Sequence, residues 1–203
     1  MFERRESLLK YSKNYPVIIS IILLNILVFV GGLFLGYYSE IVAKGATMNY
    51  LIEKGEVWRL LTAVFIHAGF SHLIFNMFAL YVFAPIIEKE LGKFKFLIMY
   101  LSSGVLGNFF TYLLKDDTYS SVGASGAVFG VLGAVLALAI TSWNKNEELK
   151  ITIIPVIIVS IILTFLQPNI NETAHIGGLL SGLIISLVFL KISNKNIKLK
   201  LEG

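Results

Sequence analysis

The sequence predicts an all-α, polytopic membrane protein, a bundle of six transmembrane helices with both termini cytoplasmic. Three observations carry that expectation. Hydrophobic residues make up 56% of the 203-residue chain and mean hydropathy is +0.79, whereas charged residues make up 15%, well below the roughly 25% of a soluble globular domain. A soluble protein of this make-up would lack the polar side chains to cover its surface. The apolar residues gather in six runs, most of them close to the ~20 residues a helix needs to cross the bilayer core. Lysine and arginine gather in alternate connections between those runs. The length fits a single domain spanning 1–203.

The first run, 16–37, follows a polar segment, 1–15, taken as cytoplasmic. No small-residue cleavage site follows the run, so it reads as a retained first helix and not a cleaved signal peptide. The connection 38–59 is the longest. It mixes charges with Tyr50, Leu51, Val57 and Trp58, a pattern suited to the membrane interface. The second run, 60–87, is longer than a span requires, which assigns its first part to the interface. The third and fourth runs are 96–114 and 122–143. The fifth, 151–166, is short and contains Pro155. The sixth is 174–190, and the tail 191–203 is rich in Lys and Asn, as expected of a basic cytoplasmic anchor near anionic lipid headgroups.

Orientation follows from the basic residues. With the N-terminus inside, thirteen of the 17 Lys and Arg fall in inside segments, from Arg4, Arg5, Lys10 and Lys13 to the tail. Lys44, Lys54, Arg59 and Lys115 fall outside. The positive-inside rule therefore makes both termini cytoplasmic.

Composition also excludes. The chain has no cysteine, which removes disulfides, thiolate metal sites and cysteine nucleophiles. Its three histidines form no H-E-x-x-H pair, so neither a zinc site nor any other metal or cofactor is expected. A net charge of +4 would suggest nucleic acid in a soluble protein. Here membrane orientation accounts for the basic residues, and no nucleic-acid partner is expected.

The chemistry-bearing residues cluster by depth. Ser125 stands in Gly123-Ala124-Ser125-Gly126, where a polar loop gives way to an uncharged apolar run. His72 and His175 open two other runs in the same way. Counted from Glu88, Lys191 and Lys145, the residues His72, His175 and Ser125 lie about 24, 24 and 30 Å above the cytoplasmic charges at 1.5 Å per residue. In a hydrocarbon core about 30 Å thick, all three fall in the outer half. Three helices can thus present a serine and two histidines to one cavity. Asn76, four residues after His72, shares its helical face. Polar groups facing lipid are costly, so both are expected to face the interior; the plain alternative is interhelical hydrogen-bond glue. His67 reads as a satisfied structural or interfacial histidine.

Gly126 and Gly130 form a small-residue face below Ser125, and Gly178 and Gly182 form another below His175. Such faces permit close helix packing, and they are also common without any functional meaning. Here each lies directly below a reactive-type residue. A serine hydroxyl needs a base to become a nucleophile, and His175 is the candidate. The Ser125 amide at a helix N-terminus, with the His72 and Asn76 side chains, could stabilise an oxyanion. No Asp or Glu lies inside the six runs, and Glu172 in the outer loop is the only acid near His175 in sequence. The residues therefore point to a Ser–His dyad and not to a triad with a buried carboxylate.

The ordered set resembles the rhomboid family of intramembrane serine proteases, in its minimal six-helix bacterial form. The matching stretches are Glu56-Val57-Trp58-Arg59, His72-Leu73-Ile74-Phe75-Asn76, Gly123-Ala124-Ser125-Gly126 and Ala174-His175-Ile176-Gly177-Gly178. The resemblance implies hydrolysis of peptide bonds in or near the transmembrane helices of membrane-protein substrates, close to the outer face. Cleavage would favour small residues at the cut and helix-weakening residues beyond it. It implies Ser125 as nucleophile and His175 as general base and acid. His72, Asn76 and the Ser125 amide would stabilise the oxyanion, Gly123 would shape the loop, and Trp58 and Arg59 would anchor the scaffold. It also implies a multi-pass membrane protein with the active site open toward the extracellular side, and the Lys/Asn/Ile-rich composition without an organelle-targeting segment points to a bacterial plasma membrane. Where some relatives carry a tyrosine, the chain has Phe129, which keeps the ring for stacking on the histidine. The six runs lead to the expectation of a minimal six-helix core, without the appended soluble domain and seventh helix of some relatives.

Two other readings compete. A catalytically inactive rhomboid-like protein that binds membrane helices is opposed by the intact Ser125 and His175. A small transporter would call for ionisable Asp, Glu, Lys or Arg deep in the bundle, where the runs have none. The oligomeric state and the physiological substrate are not legible in the sequence.

Overall fold

The computed structural model describes residues 6–142, 147–167 and 170–202, with side chains for all of these but Glu148 and 193–202. Arg4, Arg5, Trp143 and Lys145, and the side chains of the basic tail beyond Ile192, lie outside the described residues.

The chain is almost wholly helical. A short helix α1 (Leu8–Asn14) precedes α2 (Pro16–Ile26), which continues through a π-helical turn, Leu27–Gly31, into α3 (Gly32–Phe34). The long connection that follows is itself structured. It holds α4 (Tyr38–Gly45), the two-residue strand β1 (Thr47–Met48) and α5 (Asn49–Glu53). Next come α6 (Arg59–Thr62) and a 3₁₀ turn, Ala63–Phe65. The long helices α7 (Phe70–Leu91) and α8 (Lys93–Leu114) follow. After β2 (Ser120–Ser121) come α9 (Ser125–Thr141), α10 (Glu147–Leu166) and α11 (Glu172–Glu202).

Five helical segments are long and apolar enough to cross a membrane: Pro16–Phe34, Phe70–Leu91, Lys93–Leu114, Leu149–Leu166 and Glu172–Ile192. A shorter apolar helix, α9, fourth in chain order, has 17 residues and occupies the centre. Nearly every residue from Gly126 to Ala139 on it is buried, as befits a helix apolar on all sides. It packs against α11, α8, α7 and α10. The outer helices expose apolar side chains instead, among them Leu27 and Phe34, Phe75 and Phe78, Ile162 and Phe165, and Ile184 and Val188. Water would penalise such a surface, whereas lipid tails are as apolar as the side chains themselves. The protein is a multi-pass membrane protein.

The long apolar run 60–87 is divided. Its first part forms α6 and the 3₁₀ turn, extended backbone follows, and the long helix begins only at Phe70. Pro155 is accommodated inside α10.

The run 60–87 holds no Asp or Glu, but helix α7 extends past its end to Leu91 and carries Glu88 and Glu90. Glu88 is 3% exposed. Its carboxylate accepts the amides of Val17 at 3.2 Å and Ile18 at 3.0 Å. These belong to the first turn of α2, where amides have no intrahelical acceptor and the helix dipole favours a negative group. Glu88 thus caps α2 and locks it to α7. The polar segment before α2 is docked as well. The Tyr11 ring stacks on Tyr81, and its hydroxyl donates to the Tyr81 carbonyl at 3.1 Å.

Candidate active site

The two glycine faces of α9 and α11 meet directly. A Cβ at Gly178 would lie 2.0 Å from the Gly126 carbonyl oxygen, and a Cβ at Gly182 would lie 2.0 Å from that of Gly130. Any side chain here would force the helices apart. The backbones touch, and this contact joins α9, which begins at Ser125, to α11, which carries His175 in its first turn.

A hydrogen-bonded belt fixes the outer ends of these helices. Asn171 precedes α11, and its Oδ1 accepts the Ala174 amide at 2.9 Å as an N-cap. The same oxygen accepts the Thr111 hydroxyl of α8 at 3.0 Å. The Asn171 amide nitrogen donates to Ser121 Oγ at 2.9 Å, and Ser121 pairs with Thr47 in the short β1–β2 ladder. The loop that carries Gly123 and Ser125 is thereby tied to α8, to α11 and to the long connection. Arg59 supports that connection from within. It is 4% exposed and donates to the carbonyls of Ala43 at 2.9 Å and Ala46 at 2.8 Å. It also pairs with Glu56 at 2.6 Å. A guanidinium at the C-terminal end of α4 satisfies carbonyls that the helix leaves open. Trp58 lies at the surface, 54% exposed.

Gly123 is held at φ +141°, a conformation glycine adopts readily, and its amide donates to the Ala63 carbonyl at 3.0 Å. The His72 imidazole lies against it. A Cβ at Gly123 would fall 2.7 Å from His72 Cε1, 2.8 Å from Nε2 and 3.6 Å from Ser125 Oγ. The His72 ring and the Ser125 hydroxyl thus both border Gly123. Asn76 is buried one turn below, and its amide donates to the His72 carbonyl at 2.9 Å. A carboxamide nitrogen carries two hydrogens, and this bond occupies one of them. Ser125 is the first residue of α9, so its own amide belongs to the helix turn without intrahelical acceptors.

His175 is 7% exposed and held on two sides. The Phe129 ring stacks on it with centroids 4.1 Å apart and planes 16° from parallel. Its Nδ1 lies 2.8 Å from Thr164 Oγ1 of α10. Glu172 pairs with Lys115; that bond raises the Lys115 ammonium above its usual range.

Ser125, His175, His72 and Asn76 all line one cavity of 880 Å³. Its walls run down α7 through Phe75, Ala79 and Phe83, and up α10 through Ser160 and Leu163. A smaller hollow of 350 Å³ between α2, α4 and α6 is lined mainly by apolar side chains, with Lys44 and Thr62 as its polar members.

His67 departs from expectation. It is fully buried, with backbone bonds to the Tyr38 hydroxyl, but neither ring nitrogen has a hydrogen-bond partner among the described residues. Its ring meets His72 edge-on at 5.1 Å. Burial, with the neighbouring His72 adding to it, pushes its pKa down to about 3. Sequence reasoning missed Thr164 and Asn171. Asn171 had a legible signal, a polar capping residue just before an apolar run. Thr164 had none, because a threonine within an apolar run does not reveal what its hydroxyl meets.

The fold and the site define a class: an all-helical, multi-pass membrane protein that turns a serine, two histidines and an asparagine into one cavity. The family model described as the Rhomboid domain matches residues 54–192. The chain is 36% identical over 196 residues to the rhomboid protein YdcA of Bacillus subtilis (strain 168), covering 93% of this chain and 96% of that one. It is 41% identical over 147 residues to rhomboid protease GluP of the same organism, covering 71% of this chain and 28% of GluP. RHOMBOID-like protein 5 of Arabidopsis thaliana is 38% identical over 150 residues, which is 72% of this chain and 48% of that protein. The chain belongs to the rhomboid family.

Proposed function

We propose that this rhomboid is an intramembrane serine endopeptidase working through a Ser125–His175 dyad. The observation that carries the reading is the single cavity lined at once by Ser125, His175, His72 and Asn76. His175 takes the Ser125 proton as Oγ attacks the scissile carbonyl carbon. The carbonyl oxygen becomes an oxyanion, met by donors from His72, Asn76 and the Ser125 amide. Collapse breaks the C–N bond, and His175 passes its proton to the leaving amine. The serine ester that remains is hydrolysed by water, with His175 again the base. Only side chains and backbone take part, so no metal or cofactor is required.

The substrates are transmembrane protein segments. The apolar walls of the cavity on α7 and α10 suit a locally unwound membrane helix, whose carbonyl becomes open to attack only once its helical hydrogen bond is broken. In the bilayer α9 is the fourth of six spans despite its length, because its neighbours bury it. Both termini are cytoplasmic and the cavity opens toward the extracellular side of a bacterial plasma membrane. The segment 1–203 acts as one domain, which includes the cytoplasmic segment 1–15 and the basic tail 191–203.

The test is cleavage of a single-span membrane protein by the purified chain in proteoliposomes. Cleavage is expected from the wild type, and intact substrate from a folded Ser125→Ala variant. Equal cleavage by both removes the assigned nucleophile.

A further inference from the structure

We propose that Thr164 is a positioning residue for His175, holding its imidazole as the Nδ1–H tautomer so that Nε2 keeps a lone pair for the Ser125 proton. This rests on the protease reading given above.

The assignment follows from counting hydrogens. A threonine hydroxyl has one hydrogen and two lone pairs. Thr164 Oγ1 lies 2.8 Å from the Ser160 carbonyl oxygen, one turn back on α10. A carbonyl can only accept, so the hydroxyl hydrogen is spent there. The same Oγ1 lies 2.8 Å from His175 Nδ1, and the hydrogen in that contact must come from the ring. Neutral imidazole carries a single N–H. With it on Nδ1, Nε2 is the acceptor a general base needs.

The surroundings hold this arrangement in place. Thr164 is 4% exposed, and the back-bond to Ser160 selects one rotamer of a β-branched side chain that has few. Phe129, stacked on the ring, fixes its plane, and Thr164 fixes its rotation within that plane. The nearest acid on the same helix, Glu172, is engaged by Lys115, and among the described residues Thr164 is the group bonded to Nδ1. When His175 takes up the serine proton, the Nδ1–H···Oγ1 bond gains a charged donor and strengthens. The contact therefore favours the transition state over the ground state. A neutral hydroxyl does this more weakly than a carboxylate.

The chain's three histidines make the tautomer measurable. The wild type, labelled with ¹⁵N-histidine and reconstituted in bilayers, is expected to show His175 as the Nδ1–H form at neutral pH, with His175→Gln assigning the signal. Thr164→Val keeps the shape and removes the acceptor. It is expected to populate the Nε2–H form and lower kcat about tenfold, the factor a single hydrogen bond is worth, with KM within about twofold of wild type. Thr164→Ser is expected to restore most of kcat. An Nε2–H tautomer in the wild type overturns the proposal, as does Thr164→Val with unchanged tautomer and kcat. The wild-type spectrum needs no turnover. It thus separates failure here from failure of the protease reading, which shows as cleavage persisting in Ser125→Ala.

Discussion

Gly178 rests on the backbone of Gly126 so closely that a methyl group there would fall 2.0 Å from the Gly126 carbonyl oxygen. The obstacle is backbone in the most buried helix of the bundle, not the movable end of a side chain. Gly178→Val is therefore expected to destabilise the protein by about 1–3 kcal/mol, as overpacking does, and to abolish cleavage by moving His175 away from Ser125. Leu180→Val, on the exposed face of α11, is the control and should change little. Denaturant unfolding in micelles measures both.

The stack of Phe129 on His175 yields a second expectation. An aromatic pair contributes about 0.5–1.5 kcal/mol beyond its buried area. Phe129→Leu should lower kcat by up to about tenfold, while Phe129→Tyr, which keeps the ring, should stay near wild type. Steady-state cleavage with a fluorogenic transmembrane substrate distinguishes the two. Equal kcat for all three proteins would show that the stacking does no catalytic work.

Asn171 caps α11 and joins it to α8 and to the loop before Ser125. Loss of an N-cap costs about 1 kcal/mol, and loss of the belt adds to it. Asn171→Ala should lower the unfolding temperature by several degrees and cut kcat. Asn171→Asp retains the Oδ1 acceptor, keeps the cap, and should recover part of the stability.

His67 makes acid stability a readout. Its folded-state pKa of about 3 lies below the ordinary 6.5, so on acidification the unfolded chain takes up the proton first. The resulting stability is fully present above pH 6.5 and is lost as pH falls from there toward 3. His67→Phe removes the titrating group along with the two unpaired ring nitrogens. Unfolding temperatures from pH 7 to pH 4 should fall less steeply in this variant, with a difference from wild type within about 1 kcal/mol at pH 7. Parallel slopes for the two proteins would contradict the burial of a neutral His67.

The helices were legible because lipid imposes a simple rule, long apolar runs bounded by charge, and α2, α7, α8, α10 and α11 obey it. The glycine faces were legible for the same reason: Gly126, Gly130, Gly178 and Gly182 recur at helical spacing beneath polar residues. Tertiary polar contacts were not. Thr164 meets His175 across two helices, and Glu88 reaches the amides of Val17 and Ile18 some 70 residues away in sequence. No local pattern encodes such pairs. The break between Phe65 and Phe70 was legible only in part: the excess length of the run 60–87 assigned its first part to the interface, but hydropathy did not locate where the long helix begins. The central place of α9 shows only as an absence of amphipathicity, since a helix apolar all round can face lipid or protein alike.

The most direct measurement compares wild type and Ser125→Ala in proteoliposomes with a single-span substrate, alongside labelling by a serine-reactive fluorophosphonate. The wild type is expected to cleave and to be labelled. Ser125→Ala should unfold at the same temperature yet do neither. Cleavage by Ser125→Ala at the wild-type rate would contradict the dyad.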